Sequence, residues 1–127
     1  MKITALYAGL LAPLYLWLCV RVIQARGAAK VAVGDGGDAL LVRRMRVQAN
    51  FAEYVPFILV LIGLAESLAT PAWLLHALGA VLLVGRLAHG IGMSQPNEVF
   101  ALRSIGMAST FSALIVGAGV CLVRALG

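Results

Sequence analysis

Four apolar stretches set the terms for this chain. They run over about residues 3–23, 41–65, 71–93 and 103–125. Each is long enough to cross a bilayer, because a spanning helix takes roughly 20 mostly apolar residues. Of the 127 residues, 62% are hydrophobic and 12% charged. A soluble domain carries about twice that charged fraction. A chain this short cannot hide so much apolar surface in a core of its own. The expected class is an all-α membrane protein of four transmembrane helices, forming a single domain over residues 1–127.

The charge pattern orients those helices. The net charge is +5, and six of the ten Lys and Arg fall between Arg21 and Arg46, around the first inter-helix loop. The second loop, Glu66 to Thr70, has none. By the positive-inside rule, loops one and three are cytoplasmic and both termini lie outside. No nucleic-acid-binding module accompanies the basic residues, so membrane lipid is the expected partner and nucleic acid is not. Cys19 and Cys121 both sit in apolar segments. They read as small buried hydrophobes, with no disulfide and no metal site.

Local signals fill in the outline. Met1-Lys2 before an apolar run resembles a signal peptide, but the length of the run favours a retained helix. Pro13 falls mid-span and predicts a kink there. Arg21 and Arg26 end the first segment and reach toward headgroups. The stretch from Gly27 to about Leu41 reads as a connector, with turn chemistry at Gly34 to Gly37 and no phosphate-binding pattern. Thr70 is the expected cap of the third helix, with Pro71 at its first position. His76, near that helix's start, reads as interfacial. In the fourth segment Ser109, Ala113, Gly117 and Cys121 recur every four residues. Such a stripe admits close helix packing, within the chain or between subunits.

One helix opens with polar groups. Arg43, Arg46, Asn50 and Glu53 are spaced three, four and three, which puts them on one stripe, bordered by Tyr54. Pro56 cannot donate to the carbonyl of Ala52, which leaves a free acceptor beside Glu53. Arg86 and His89 share a face near the end of the third segment. An arginine so far into an apolar helix needs a partner. Glu53 is the one carboxylate well inside a helix, so Arg86 is expected to pair with Glu53 or with backbone carbonyls. With Arg103, these clusters fall at the same end of the bundle. They mark a candidate site for an anion entering from the cytoplasm.

The run Arg43-x-x-Arg46-x-Gln48-x-Asn50-x-x-Glu53-Tyr54-x-Pro56 resembles the signature of the MAPEG family, the membrane-associated proteins in eicosanoid and glutathione metabolism. Gly85-Arg86 with His89 resembles the family's third-helix motif, and the length and four-helix layout match. The resemblance to bacterial-type members implies a left-handed four-helix bundle in the inner membrane, assembled as a homotrimer. It implies that glutathione, as co-substrate, binds between subunits near the cytoplasmic face. Arg46, Asn50, Glu53 and Tyr54 would contact it, with Gln48, Arg43, Arg86 and His89 nearby, and Arg26 or Arg21 as the first-helix arginine. Glutathione carries two carboxylates and one ammonium, which suit arginines and Glu53 respectively.

The resemblance departs from the family pattern at two points. Conjugating members carry a tyrosine near the end of helix three, where this chain has Met93; its tyrosines are Tyr7, Tyr15 and Tyr54. The family's thiolate-stabilising arginine opens helix four. A gapless match puts Glu98 near that place, and Arg103 fits if the connection is longer. Arg103 is the candidate catalytic residue. The expected function is a membrane glutathione transferase or peroxidase acting on lipophilic small molecules. The alternative is a non-enzymatic binder of glutathione or lipid headgroups. A small four-helix drug/proton exporter fits less well, because such proteins place a carboxylate in helix one and this segment has no acid.

Overall fold

The computed structural model describes residues 1–127. It consists of α1 (Lys2–Ala29), α2 (Ala39–Ser67), α3 (Ala72–Ser94) and α4 (Phe100–Leu126), with no strand. All four helices are long and apolar enough to cross a membrane. α1 and α2 run further than the apolar stretches, so the first connector shrinks to residues 30–38. Polar residues at the ends of these helices keep helical geometry beyond the apolar span. α1 continues through Pro13.

The short links are built by local chemistry. Lys30 takes a left-handed conformation (φ 54) and closes α1, with Lys30 N–H on Gly27 O and Val31 N–H on Arg26 O. This is the doubly bonded Schellman ending. Gly34, Gly36 and Gly37 all have positive φ, as turn glycines should. Asp38 then caps α2 by accepting from Leu41 N–H at 2.7 Å.

The second link corrects one expectation. Thr70 does not cap α3; Pro71 is the N-cap residue, and Thr70 Oγ1 is buried without a partner. The cause lies in α2. Ala69 is left-handed (φ 55), and Thr70 N–H bonds back to Ala65 O, so Thr70 belongs to the closing of α2. Glu66 beside it does more than turn the chain. Its carboxylate accepts from Ile3 N–H at 3.0 Å, Thr4 N–H at 2.9 Å and Thr4 Oγ1 at 2.6 Å. It thus satisfies the free N–H groups at the start of α1 from the far end of α2.

α2 is the axis of the core. Val47, Phe51, Val55, Ile58, Ile62 and Ala65 are buried on it at spacings of three and four. Leu11 and Leu18 meet this stripe from α1, Leu75, Leu78 and Leu82 from α3, and Ala113 from α4. α1 and α4 make no contact with each other, so they flank the α2/α3 pair. The small-residue stripe of α4 is spent inside the chain: Gly117 lies over Leu61 of α2, and Cys121 Sγ donates to Leu61 O at 3.2 Å.

α3 and α4 approach closely through glycine. A Cβ on Gly106 would stand 2.6 Å from Gly85 O and 2.5 Å from His89 Cβ. Bare backbone there holds Arg103 and Thr110, one turn to either side, against α3. Only 27 of the 127 residues are buried, so most of the apolar side-chain surface faces outward. That surface suits lipid, not water.

Candidate functional site

The polar residues converge between α2, α3 and α4. Arg86 is 1% exposed, the largest side chain buried so completely. Its Nη1 donates to Asn50 Oδ1 at 2.8 Å and lies 3.4 Å from Thr110 Oγ1. Its Nη2 meets His89 Nδ1 at 3.3 Å, and the guanidinium sits 5.5 Å over the Phe51 ring. Arginine can only donate, so Nδ1 is the acceptor and His89 carries its proton on Nε2. Thr110 in turn donates to Gly106 O at 2.7 Å. No carboxylate enters this network.

The expected Arg86–Glu53 pair therefore does not form, nor does Arg86 bond a backbone carbonyl. The reason is helix phase. At about 100° per residue, Glu53 lies about 200° round α2 from Phe51, the centre of the buried stripe. Glu53 is exposed, midway along the 29-residue helix, and has no ion pair. Asn50 lies only about 100° from Phe51 and can turn toward α3. The Arg43–Glu53 stripe thus winds from the side of the bundle to its outside.

Above Arg86 lies a cavity of about 140 Å³ lined by Arg46, Asn50, His89, Met93, Arg103 and Met107. It has room for a few waters or one anionic group. Two arginines border it and no acid lines it. Glu98, on the link after α3, lies at the same end. Its Oε1 accepts from Arg103 Nη1 at 2.7 Å, and its Oε2 is 3.9 Å from Arg43 Nη1. The hydrogen bond from Arg103 holds the Glu98 carboxyl below the ordinary carboxylate range, helped by the charges of Arg103 and Arg43.

Among the candidate residues, the structure brings Arg46, Asn50, His89 and Arg103 to one cavity, with Arg86 beneath it and Arg43 reaching Glu98. Tyr54 is half-buried, edge-on to Phe111 of α4 at 5.5 Å. Three residues lie elsewhere. Gln48 faces α1 and donates to Tyr15 Oη at 2.9 Å. Arg26 donates to Gly34 O at 2.7 Å and meets Met45 Sδ at 3.6 Å. Arg21 crosses from α1 to Ser94 O at 3.2 Å and stacks over Trp17 at 4.9 Å. Sequence reading missed Thr110 and Met107. Arg103, Met107 and Thr110 are spaced four and three, and that helical face was the available signal.

Comparison with known proteins agrees with this architecture. The family model described as MAPEG family matches residues 4–123. Two proteins named inner membrane protein YecN, from Escherichia coli strain K12 and from an O6:H1 strain, are each 37% identical over 114 residues. The match covers 90% of this chain and 86% of theirs.

Proposed function

The chain belongs to the MAPEG family, and from that membership we propose that it binds glutathione at this cationic mouth and joins the glutathione sulfur to lipophilic electrophiles. One observation carries the reading. Arg46 and Arg103 border a single cavity with Asn50 and His89, and no carboxylate lines it. That is a site for a carboxylate or a thiolate. Relatives named as inner membrane proteins support a bacterial inner membrane for this chain too.

In the reaction, the glutathione thiol gives up its proton and the thiolate attacks an electrophilic carbon. A sulfur–carbon bond forms as the leaving group departs with its electron pair. Arg103 is the residue assigned to the thiolate. It stands in the first turn of α4, where the helix dipole adds positive potential. The electrophile enters sideways from the bilayer.

The cavity is too small for a whole tripeptide, and Glu53 and Arg46 are exposed on the outward side of α2. A bare carboxylate midway along a spanning helix is costly in lipid. Both facts favour a homotrimer in which α2 lines the central contacts and each ligand lies between subunits. Gln48, Tyr54 and Arg26 would then act at that shared boundary. Mass measurement in detergent tests this, and a monomer alone would end it. Loops one and three are assigned to the cytoplasm and both termini to the outside, to be checked by cysteine labelling at Gly36 and Ser67.

The second reading is a binder without turnover. Met93 favours it, since a thioether lines the cavity where conjugating relatives carry a phenol. Purified protein in detergent separates the two when glutathione binding is measured beside conjugation of an aryl halide. Binding with turnover supports the transferase. Binding without turnover leaves the binder, and no binding at millimolar glutathione ends the transferase and leaves only a binder of lipid headgroups.

A further inference from the structure

We propose that Glu98 is a built-in competitor at the mouth of the site, a carboxylate that an entering anion must displace from Arg103 and Arg43. The inference deepens the anion-binding reading above and rests on it.

Glu98 has little freedom to be elsewhere. The link between α3 and α4 is pinned at Val99, whose N–H donates to Gly92 O at 3.1 Å, while Arg103 N–H bonds Val99 O at 3.1 Å. The carboxylate is thereby held between an arginine of α2 and an arginine of α4. Arg103 is also part of the cavity wall. One carboxylate thus occupies the guanidinium of the cavity wall that an anionic group of a ligand would use.

No other acid of the chain fills this role. Asp35 and Asp38 accept from the backbone N–H groups of Gly37 and Leu41. Glu66 is engaged at the start of α1, and Glu53 faces outward. Glu98 is the acid set against the cationic mouth, and Arg43 of α2, His89 of α3 and Arg103 of α4 are the charged or titratable groups around it. As an ordinary carboxylate it is charged at neutral pH, so it competes as an anion.

The contact is made to be exchanged. The Glu98 side chain is 25% exposed and that of Arg103 47%, so water reaches the pair and holds it weakly. Its hold on Arg43 is incomplete: at 3.9 Å the carboxylate gives charge but no hydrogen bond, and Arg43 Nη1 is buried without a partner. A ligand that brings its thiolate to Arg103 and a carboxylate to Arg43 can satisfy both arginines. A residue that merely positioned Arg103 would need its acceptor oxygen and not its charge.

That difference decides the test. Glu98→Gln keeps an acceptor and removes the charge, and Glu98→Ala removes both. Wild type and both variants are compared in detergent, with circular dichroism as the check on folding. Two probes are used: glutathione and succinate, a plain dicarboxylate. Competition predicts that Glu98→Gln binds both probes about fivefold tighter, the scale of a partly exposed ion pair. In wild type with carboxyl-¹³C glutamate, the Glu98 resonance should titrate nearer the ordinary range once succinate saturates. Equal or weaker binding by Glu98→Gln overturns the proposal, as does failure of every protein to bind either probe. Tighter succinate binding with no glutathione binding keeps the competitor and ends the glutathione reading. If Glu98→Gln does not fold, Glu98→Ala and the wild-type titration decide in the same way.

Discussion

Arg86 Nη1 donates to Asn50 Oδ1 at 2.8 Å, and through this bond a buried cation of α3 is held by a neutral side chain of α2. The guanidinium has no counter-ion in the chain. It rests on Asn50, Thr110, His89 and the face of Phe51, and its Nε has no partner. The floor of the cavity is therefore positive, and its upkeep depends on dipoles rather than on an ion pair. Such a floor favours anions above it.

Asn50→Ala should cost stability. A hydrogen bond to a charged group contributes about 1.5–3 kcal/mol, and a buried charge that loses a partner pays its desolvation unaided. The expected result is a thermal midpoint several degrees lower in detergent. Asn50→Asp supplies a carboxylate at the same reach and should not share the loss. An Asn50→Ala protein as stable as wild type would show that Thr110 and His89 suffice.

Gly106→Ala tests the helix contact that frames the site. The added methyl would meet Gly85 O at 2.6 Å and His89 Cβ at 2.5 Å, both on α3. α4 must then shift, carrying Arg103 with it. Overpacking of this kind costs about 1–3 kcal/mol, and glutathione affinity should fall as well. Gly119→Ala is the control, since nothing lies within 4 Å of a Cβ there. If both variants melt alike, the close approach at Gly106 is not a constraint.

The helices were legible in the sequence because apolar length is a direct demand of the bilayer. Their ends were not, since Gln24 to Ala29 and Ala39 to Leu40 are helical while apolarity marks lipid alone. The turn glycines at 34, 36 and 37 were legible from their chemistry. The partner of Arg86 was not. Charge alone pointed to Glu53, and only the phase of Val47, Phe51 and Val55 turns that carboxylate outward. In a helix apolar all round, the inward stripe does not stand out from the lipid face. Glu98 was hidden for another reason: its partners depend on how residues 95–99 fold.

Arg46→Ala and Glu53→Gln separate structure from binding. Arg46 borders the cavity but bonds nothing in the chain, and Glu53 is equally free. Both variants should fold and melt like wild type, because Arg86 does not lean on Glu53. Arg46→Ala should weaken glutathione binding by about 1.5–3 kcal/mol, the worth of one charge-assisted contact. Glu53→Gln should weaken it too, through the glutathione ammonium. Calorimetry in detergent gives both numbers, and wild-type affinity in both would make the stripe structural only.

Acid should loosen the link before α4. The Glu98 carboxyl lies below its ordinary value in the folded chain, chiefly through the Arg103 hydrogen bond. Its contribution is fully present above about pH 4.3, the ordinary glutamate value. It is lost as pH falls through the lowered folded value. The thermal midpoint of wild type should drop across that window by more than that of Glu98→Gln, which has no proton to take up. Parallel profiles would remove Glu98 from the acid response.

Arg103→Ala addresses the chemistry. A free thiol titrates near 8.5, and only its thiolate attacks, so an enzyme working at pH 7 must stabilise the anion. Arg103 is a cation of the cavity wall, in the first turn of α4, and no tyrosine lines that cavity. Glutathione binding draws on several groups, but the sulfur charge depends on the cation beside it. Arg103→Ala should therefore lower kcat by about a hundredfold, the scale of one lost electrostatic stabiliser, with a much smaller loss of glutathione affinity. Ultraviolet thiolate absorbance should show bound glutathione titrating at higher pH in the variant than in wild type. Equal losses of kcat and of affinity would mean that Arg103 binds carboxylate rather than sulfur. Bound glutathione with no thiolate near pH 7 in wild type would sink the transferase, leaving a protein that holds glutathione without using its sulfur.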